Sequence, residues 1–204
     1  LDPATNFPCA SAMAATFNPE LIRNVGRVIG VECRHYGVDV LLGHVSNGIR
    51  SPLAGRNFEY YSEDPYLTGV MATSFIQGVQ STGVGTSMKH FIANEQETSR
   101  LFISSKVDER TLREIYLLPF EMAIKEANPW TIMASYTRIN GKYGCENPEI
   151  LIDILRKEWG YDGVVVSDWG AVNDKIESIK HGLDIQMPGK VEIDDRLRNA
   201  IEKQ

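Results

Sequence analysis

Asp168 is the residue of this sequence best placed to do chemistry. It follows Val164-Val165-Val166-Ser167, so a carboxylate is delivered at the end of a buried strand. There it serves as nucleophile or base, or else as the N-cap of a helix opening at Gly170. Trp169 beside it offers a flat apolar ring, suited to the C–H face of a sugar or to ordinary packing. A second strand end carries Lys89-His90, followed by Asn94, Gln96, Glu97 and Arg100. A third ends in Ser135-Tyr136. Arg56, in Gly55-Arg56-Asn57-Phe58-Glu59, reads by itself as a surface ion-pair arginine. Together, Arg, Lys, His, Tyr and Asp on one face supply donors for hydroxyls and one anionic nucleophile or base. A neutral polyhydroxylated substrate fits this set better than a phosphate ester. No strand is followed by the glycine-rich loop that cradles phosphates.

The elements that must carry these residues alternate. Val38–Gly43, Val84–Met88, Thr131–Ser135 and Gly163–Ser167 read as short strands without polar alternation, as parallel strands covered on both faces do. Leu183–Met187 is a weaker fifth. Between them, Asn18-Pro19, Asp64-Pro65 and Asn147-Pro148 look like helix starts, and Asp108 caps a helix running to Ala127. Gly83 and Gly160 fall just past two helix ends. Chemistry gathered from several strand ends is the pattern of a (β/α)8 barrel rather than an open sheet. Five strand–helix units make that α/β barrel incomplete.

The chain has 204 residues, 43% hydrophobic and 24% charged, with a net charge of −6. This is the composition of a soluble globular domain, and the acidic balance argues against nucleic acid or an anionic membrane as the main partner. No apolar run approaches the roughly 20 residues of a membrane-spanning helix. Cys9, Cys33 and Cys145 form no CxxC pair and read as buried free thiols rather than as a metal site. No cofactor is implied. Leu1-Asp2-Pro3 shows no basic or apolar targeting pattern, which leaves the compartment open.

Four long stretches carry a family resemblance. GRNFEYYSEDP (Gly55–Pro65), KHFIANEQE (Lys89–Glu97), SYTRINGKYGCENPEIL (Ser135–Leu151) and GYDGVVVSDWGA (Gly160–Ala171) resemble glycoside hydrolase family 3 in order and spacing. The GRNFE and SDW forms are similar to its β-glucosidase branch. The resemblance implies a retaining exo-β-glucosidase acting on small β-glucosides or cello-oligosaccharides, with Asp168 as nucleophile. Arg56, Lys89 and His90 would hold sugar hydroxyls, and Met133 would line the subsite. Tyr136 would stand beside the nucleophile, Trp169 would form the platform, and Arg100 would brace the site or touch substrate. Another family 3 exo-glycosidase, such as a β-xylosidase, and a sugar-binding barrel without turnover are the alternatives.

Two departures stand out. The family usually reads LLGPGVNIxRSPL where this chain has Leu41–Leu53 with His44 after Gly43. Its Asp-Gly-Pro segment is expected upstream of Phe7. The resemblance also places the acid/base Glu in a following α/β sandwich domain, so residues 1–204 are expected to be a partial catalytic barrel, inactive alone. Within the chain, Glu59, Glu63 and Asp64 read as solvated or capping. Glu95 and Glu97 read as ion-pair partners of Lys89 or Arg100, which lowers a carboxyl's pKa. Successive side chains of a regular strand point to opposite faces. A shared role for Lys89 and His90 therefore predicts an irregular backbone at Lys89–Phe91.

Overall fold

A computed structural model describes residues 3–189 and 195–203. Four strands form a parallel sheet: β1 (Val40–Leu41), β2 (Gly85–Phe91), β3 (Thr131–Ala134) and β4 (Val164–Ser167). Their spatial order follows their chain order, each pairing with the next in parallel. Parallel neighbours need a crossover. Here the crossovers include the helices α1 (Pro19–His35), α2 (Pro65–Gln80), α3 (Leu118–Ala127) and the wide π-type turns of Glu149–Glu158. The fifth strand read over Leu183–Met187 is reduced to one bridge, Ile185 against Val166. The result is one arc of a (β/α) barrel.

The caps explain where helices begin. The side chains of Asn18 and Asp64 accept from the backbone N–H groups of Leu21 and Leu67, and Asp108 accepts from Thr111 N–H. Asn147 does not cap; its carbonyl, not its side chain, accepts from Leu151 N–H. The helix capped by Asp108 reaches Ala127 through a π-type stretch, Leu112–Leu117, ahead of Pro119. Proline lacks the N–H that a regular turn needs, which accounts for local widening there.

The sheet packs against the helices through fully buried side chains. Phe91 meets Phe120 and Trp159 edge-on, with ring centroids 5.2 and 6.0 Å apart. Helices α1 and α2 approach until backbone touches backbone. A Cβ added at Gly78 would stand 2.1 Å from the Arg23 carbonyl, and one at Gly26 would stand 2.4 Å from that of Phe75. His44, the departure after β1, stacks on Tyr61 at 3.9 Å and meets Phe75 edge-on, so an aromatic nest receives it. Cys33 and Cys145 are buried as read. Cys9 is exposed, at the N-cap position just ahead of a short helix, Ala10–Ala14, whose Ala10, Met13 and Ala14 take the buried positions instead.

A small second sheet joins the loops that leave β2 and β3. Ser104–Ser105 pairs in parallel with Arg138–Ile139, which pairs antiparallel with Lys142–Tyr143. This pairing anchors the stretches that hold Arg100 and Tyr136.

Candidate active site

Asp168 lies one residue past β4 and its N–H continues the ladder to the Ala134 carbonyl at 2.9 Å. Its Oδ1 accepts from Trp169 N–H at 2.7 Å. Its Oδ2 is buried and makes no hydrogen bond, with His90 Nε2 3.4 Å away. The capping alternative is overturned. Residues 169–170 form a turn, and the next helix, Lys175–Lys180, is capped by Asp174.

His90 is delivered to Asp168 by the break in β2. The register against β3 shifts between Lys89 and Phe91, and the Lys89–His90 and Phe91–Ile92 peptides are cis. The irregularity expected at this point is therefore present. His90 is 2% exposed, and its Nε2 lies 3.3 Å from Arg56 Nη2. A guanidinium has only donors, so Nε2 accepts from Arg56 and the ring proton sits on Nδ1. Burial, then the charges of Arg56, Lys89 and Arg100, hold His90 well below the usual histidine range. The ring is a neutral imidazole. Burial also lowers Lys89, while Glu59 and Asp168 pull it back toward the charged form.

A second group meets Asp168 from β3. Tyr136 OH donates to the Trp169 carbonyl at 2.8 Å, and the Arg100 guanidinium carbon lies 4.6 Å from the centre of the Tyr136 ring. Arg100 Nη1 donates to Glu97 Oε2 at 2.9 Å, the pairing read for Glu97. Burial first, then Asp168, raises the Tyr136 phenol, which stays protonated and donating. The Trp169 side of this turn is open, with 62% of the residue exposed. Met133 is buried in β3, in register with Lys89 and Val166. Met133 is tied to the cluster by register alone. Arg56, His90, Asp168, Trp169, Tyr136 and Arg100 are tied together by direct contacts.

Two carboxylates behave otherwise than their sequence suggested. Glu59 sits in a short 3-10 turn, Asn57–Glu59, and is the ion-pair partner of Arg56 rather than a solvated or capping group. The three-residue spacing Arg56…Glu59 was the available signal. Glu95 pairs with neither Lys89 nor Arg100. It is buried, its Oε1 accepts from Asn47 Nδ2 at 3.1 Å, and burial pushes it from 4.5 up to about 7. Asn47 keeps its place in the stretch that resembles LLGPGVNIxRSPL, but the sequence reading gave it no role. Its side chain grips the main chain of His90, and nothing in its local sequence announces that contact.

The description matching residues 1–196 is "Glycosyl hydrolase family 3 N terminal domain". The chain belongs to glycosyl hydrolase family 3. It is 52% identical over 194 residues to thermostable β-glucosidase B of Acetivibrio thermocellus, covering 95% of this chain and 26% of that protein. It is 51% identical to an exo-α-(1→6)-L-arabinopyranosidase of Bifidobacterium longum, covering 98% of this chain and 26% of that one. β-Glucosidase 3B of Thermotoga neapolitana, solved in complex with glucose, superposes with a TM-score of 0.92 at 50% identity over 97% of this chain and 28% of its own. The chain thus spans about a quarter of the length of these family 3 relatives. Its arc of parallel strands is part of the family's N-terminal barrel.

Proposed function

We propose that the protein containing this chain is a retaining, exo-acting β-glucosidase in which Asp168 forms the covalent glycosyl intermediate. The observation that carries this reading is the bare Oδ2 of Asp168. It is a buried carboxylate oxygen with no hydrogen bond, beside the His90 ring and next to an exposed indole. A hydrogen-bonded oxygen is a poorer nucleophile than a free one. Oδ1, held by Trp169 N–H, orients the carboxylate, and Oδ2 attacks C1 of the sugar. The C1–oxygen bond to the aglycone breaks as a general acid donates its proton to the leaving oxygen. Water, deprotonated by the same group, then cleaves the ester at C1 and frees Asp168. Arg56 and Lys89 bind hydroxyls of a terminal glucosyl unit, His90 holds Arg56 beside Asp168, Trp169 stacks on the sugar's C–H face, and Arg100 braces Tyr136.

The general acid of this reaction needs a carboxyl roughly 5–5.5 Å from the nucleophile with a raised pKa. Glu59 and Glu97 are engaged by arginines, Glu63 is exposed, Asp64 caps α2, and Glu95 is bonded to Asn47. We assign the acid to a residue outside these 204, in a following domain. The Bifidobacterium longum relative favours a second reading, an exo-acting enzyme on α-L-arabinopyranosides. Incubation of the intact protein with a 2-deoxy-2-fluoro-glucoside, followed by peptide mapping, is expected to find the label on Asp168. Label on another carboxyl, or turnover of an aryl α-L-arabinopyranoside above that of the aryl β-glucoside, overturns the assignment or the substrate respectively.

A further inference from the structure

The backbone of His90 raises an accounting question, since buried N–H and C=O groups need partners. The ladders around it are regular on either side. Ser46 N–H donates to the Lys89 carbonyl at 2.7 Å, and Ser135 N–H donates to that of Phe91 at 2.8 Å. Between them the register slips, and both main-chain groups of His90 turn instead to one side chain. The N–H of His90 donates to Asn47 Oδ1 at 2.9 Å, and its carbonyl accepts from Asn47 Nδ2 at 3.1 Å.

An asparagine amide has one acceptor group and two donor hydrogens. The second hydrogen of Nδ2 goes to Glu95 Oε1, also at 3.1 Å. Asn47 is 1% exposed and Glu95 7%, so water does not substitute for any of these partners. The two contacts to His90 choose which end of the amide meets which group; the third holds the amide from swinging out of their line. Turned over, the amide would set Oδ1 against the His90 carbonyl and the Glu95 carboxyl, two acceptors.

We propose that Glu95 is a positioning residue: it holds the Asn47 amide in the orientation that clamps the main chain of His90, and so sets the His90 ring against Asp168 and Arg56. The proposal rests on the reading of Asp168 and His90 as a glycosidic centre. The contact does not need a charge, because Oε1 accepts in either protonation state. The position of Glu95 near 7 fits that requirement. Burial raises it against the pull of Asn47, the Gly48 N–H, its own N–H and the more distant Arg50. A glutamine keeps the acceptor; a leucine of similar size does not.

The test uses Glu95→Gln and Glu95→Leu in the intact protein, with kcat and KM for an aryl β-glucoside, thermal midpoints, and a crystal structure of the leucine variant. Glu95→Gln is expected within about threefold of the parent in kcat/KM. Glu95→Leu is expected to lose about tenfold or more, mainly in kcat, as one buried donor is orphaned. Its structure should show the Asn47 amide displaced from His90. Parental kcat/KM in the leucine variant, or equal loss in both variants, overturns the proposal. If Glu95→Leu does not fold, Asn47→Asp serves in its place. Its loss of activity should be partly restored by adding Glu95→Gln, whose amide can donate to the new carboxylate, and no restoration overturns the clamp. A parent that turns over no glycoside sinks the functional reading alone, and the clamp is then judged by the His90 geometry in the Glu95→Leu crystal.

Discussion

The Nε2 of His90 and the Oδ2 of Asp168 stand 3.4 Å apart without a hydrogen bond between them. Arg56 takes the lone pair of that nitrogen, and the Nδ1 proton of the same ring is buried without a partner. The ring thus carries an unsatisfied polar group that a hydrocarbon ring would not.

His90→Leu removes both nitrogens at nearly the same side-chain volume. Activity and stability should move in opposite directions. Loss of the nitrogen that holds Arg56 beside Asp168 is expected to lower kcat/KM for a β-glucoside by about tenfold to a hundredfold, while removal of a buried orphan offsets the lost Arg56 contact and leaves the thermal midpoint at or above that of the parent. Steady-state kinetics beside calorimetry decides it. A midpoint lowered by many degrees contradicts the reading of Nδ1 as unsatisfied.

Two buried groups give the stability opposite slopes with pH. Glu95 is raised by burial from 4.5 to about 7, so the folded protein binds its proton more tightly than the unfolded chain. Its contribution is complete below pH 4.5 and is lost as pH climbs to about 7. His44 is lowered by burial, with Lys89 adding to the effect, from 6.5 to about 4. Its contribution is complete above 6.5 and is lost as pH falls toward 4. The stability of Glu95→Gln relative to the parent should therefore rise with pH across the first window. That of His44→Phe should rise as pH falls across the second. Denaturant unfolding at pH 4.5, 5.5, 6.5 and 7.5 reads both slopes, and parallel slopes refute the assignments.

Gly78 lies inside helix α2, where alanine is ordinarily the better residue by about 1 kcal/mol. Here its Cβ would meet the Arg23 carbonyl at 2.1 Å, a contact with backbone that no rotamer relieves. Gly78→Ala is expected to destabilise by about 1–3 kcal/mol, the size of an overpacked core. A midpoint raised above the parent would mean that α1 and α2 can separate freely.

Much of the fold was legible because its signals are local. Pro at the first helical position with Asn18 or Asp64 before it, and runs such as Val164–Val166, need no knowledge of distant residues. Asp168 was legible for the same reason, as the polar residue ending such a run. What escaped depends on partners far away in sequence. Asn47 and His90 are 43 residues apart, and Glu95, raised by burial, bonds to that same Asn47, 48 residues away. Adjacent charges suggested an ion pair for Glu95; burial behind Asn47 decided otherwise. Arg56–Glu59 and Glu97–Arg100 are both three apart, yet only the second pair was read correctly, since Glu59 was grouped with Glu63 and Asp64 in the segment leading to the helix cap.

Trp169 is held through its main chain: its N–H by Asp168, its carbonyl by Tyr136. Every amino acid except proline offers those same two groups. Among the described residues the indole itself finds no hydrogen-bond partner, and most of its residue surface faces solvent. Position 169 is therefore a place where the chemistry of the platform can be exchanged while the nucleophile stays aimed. The specificity of this centre can drift, in evolution or in a directed library, by changing one ring without reopening the question of how Asp168 is held.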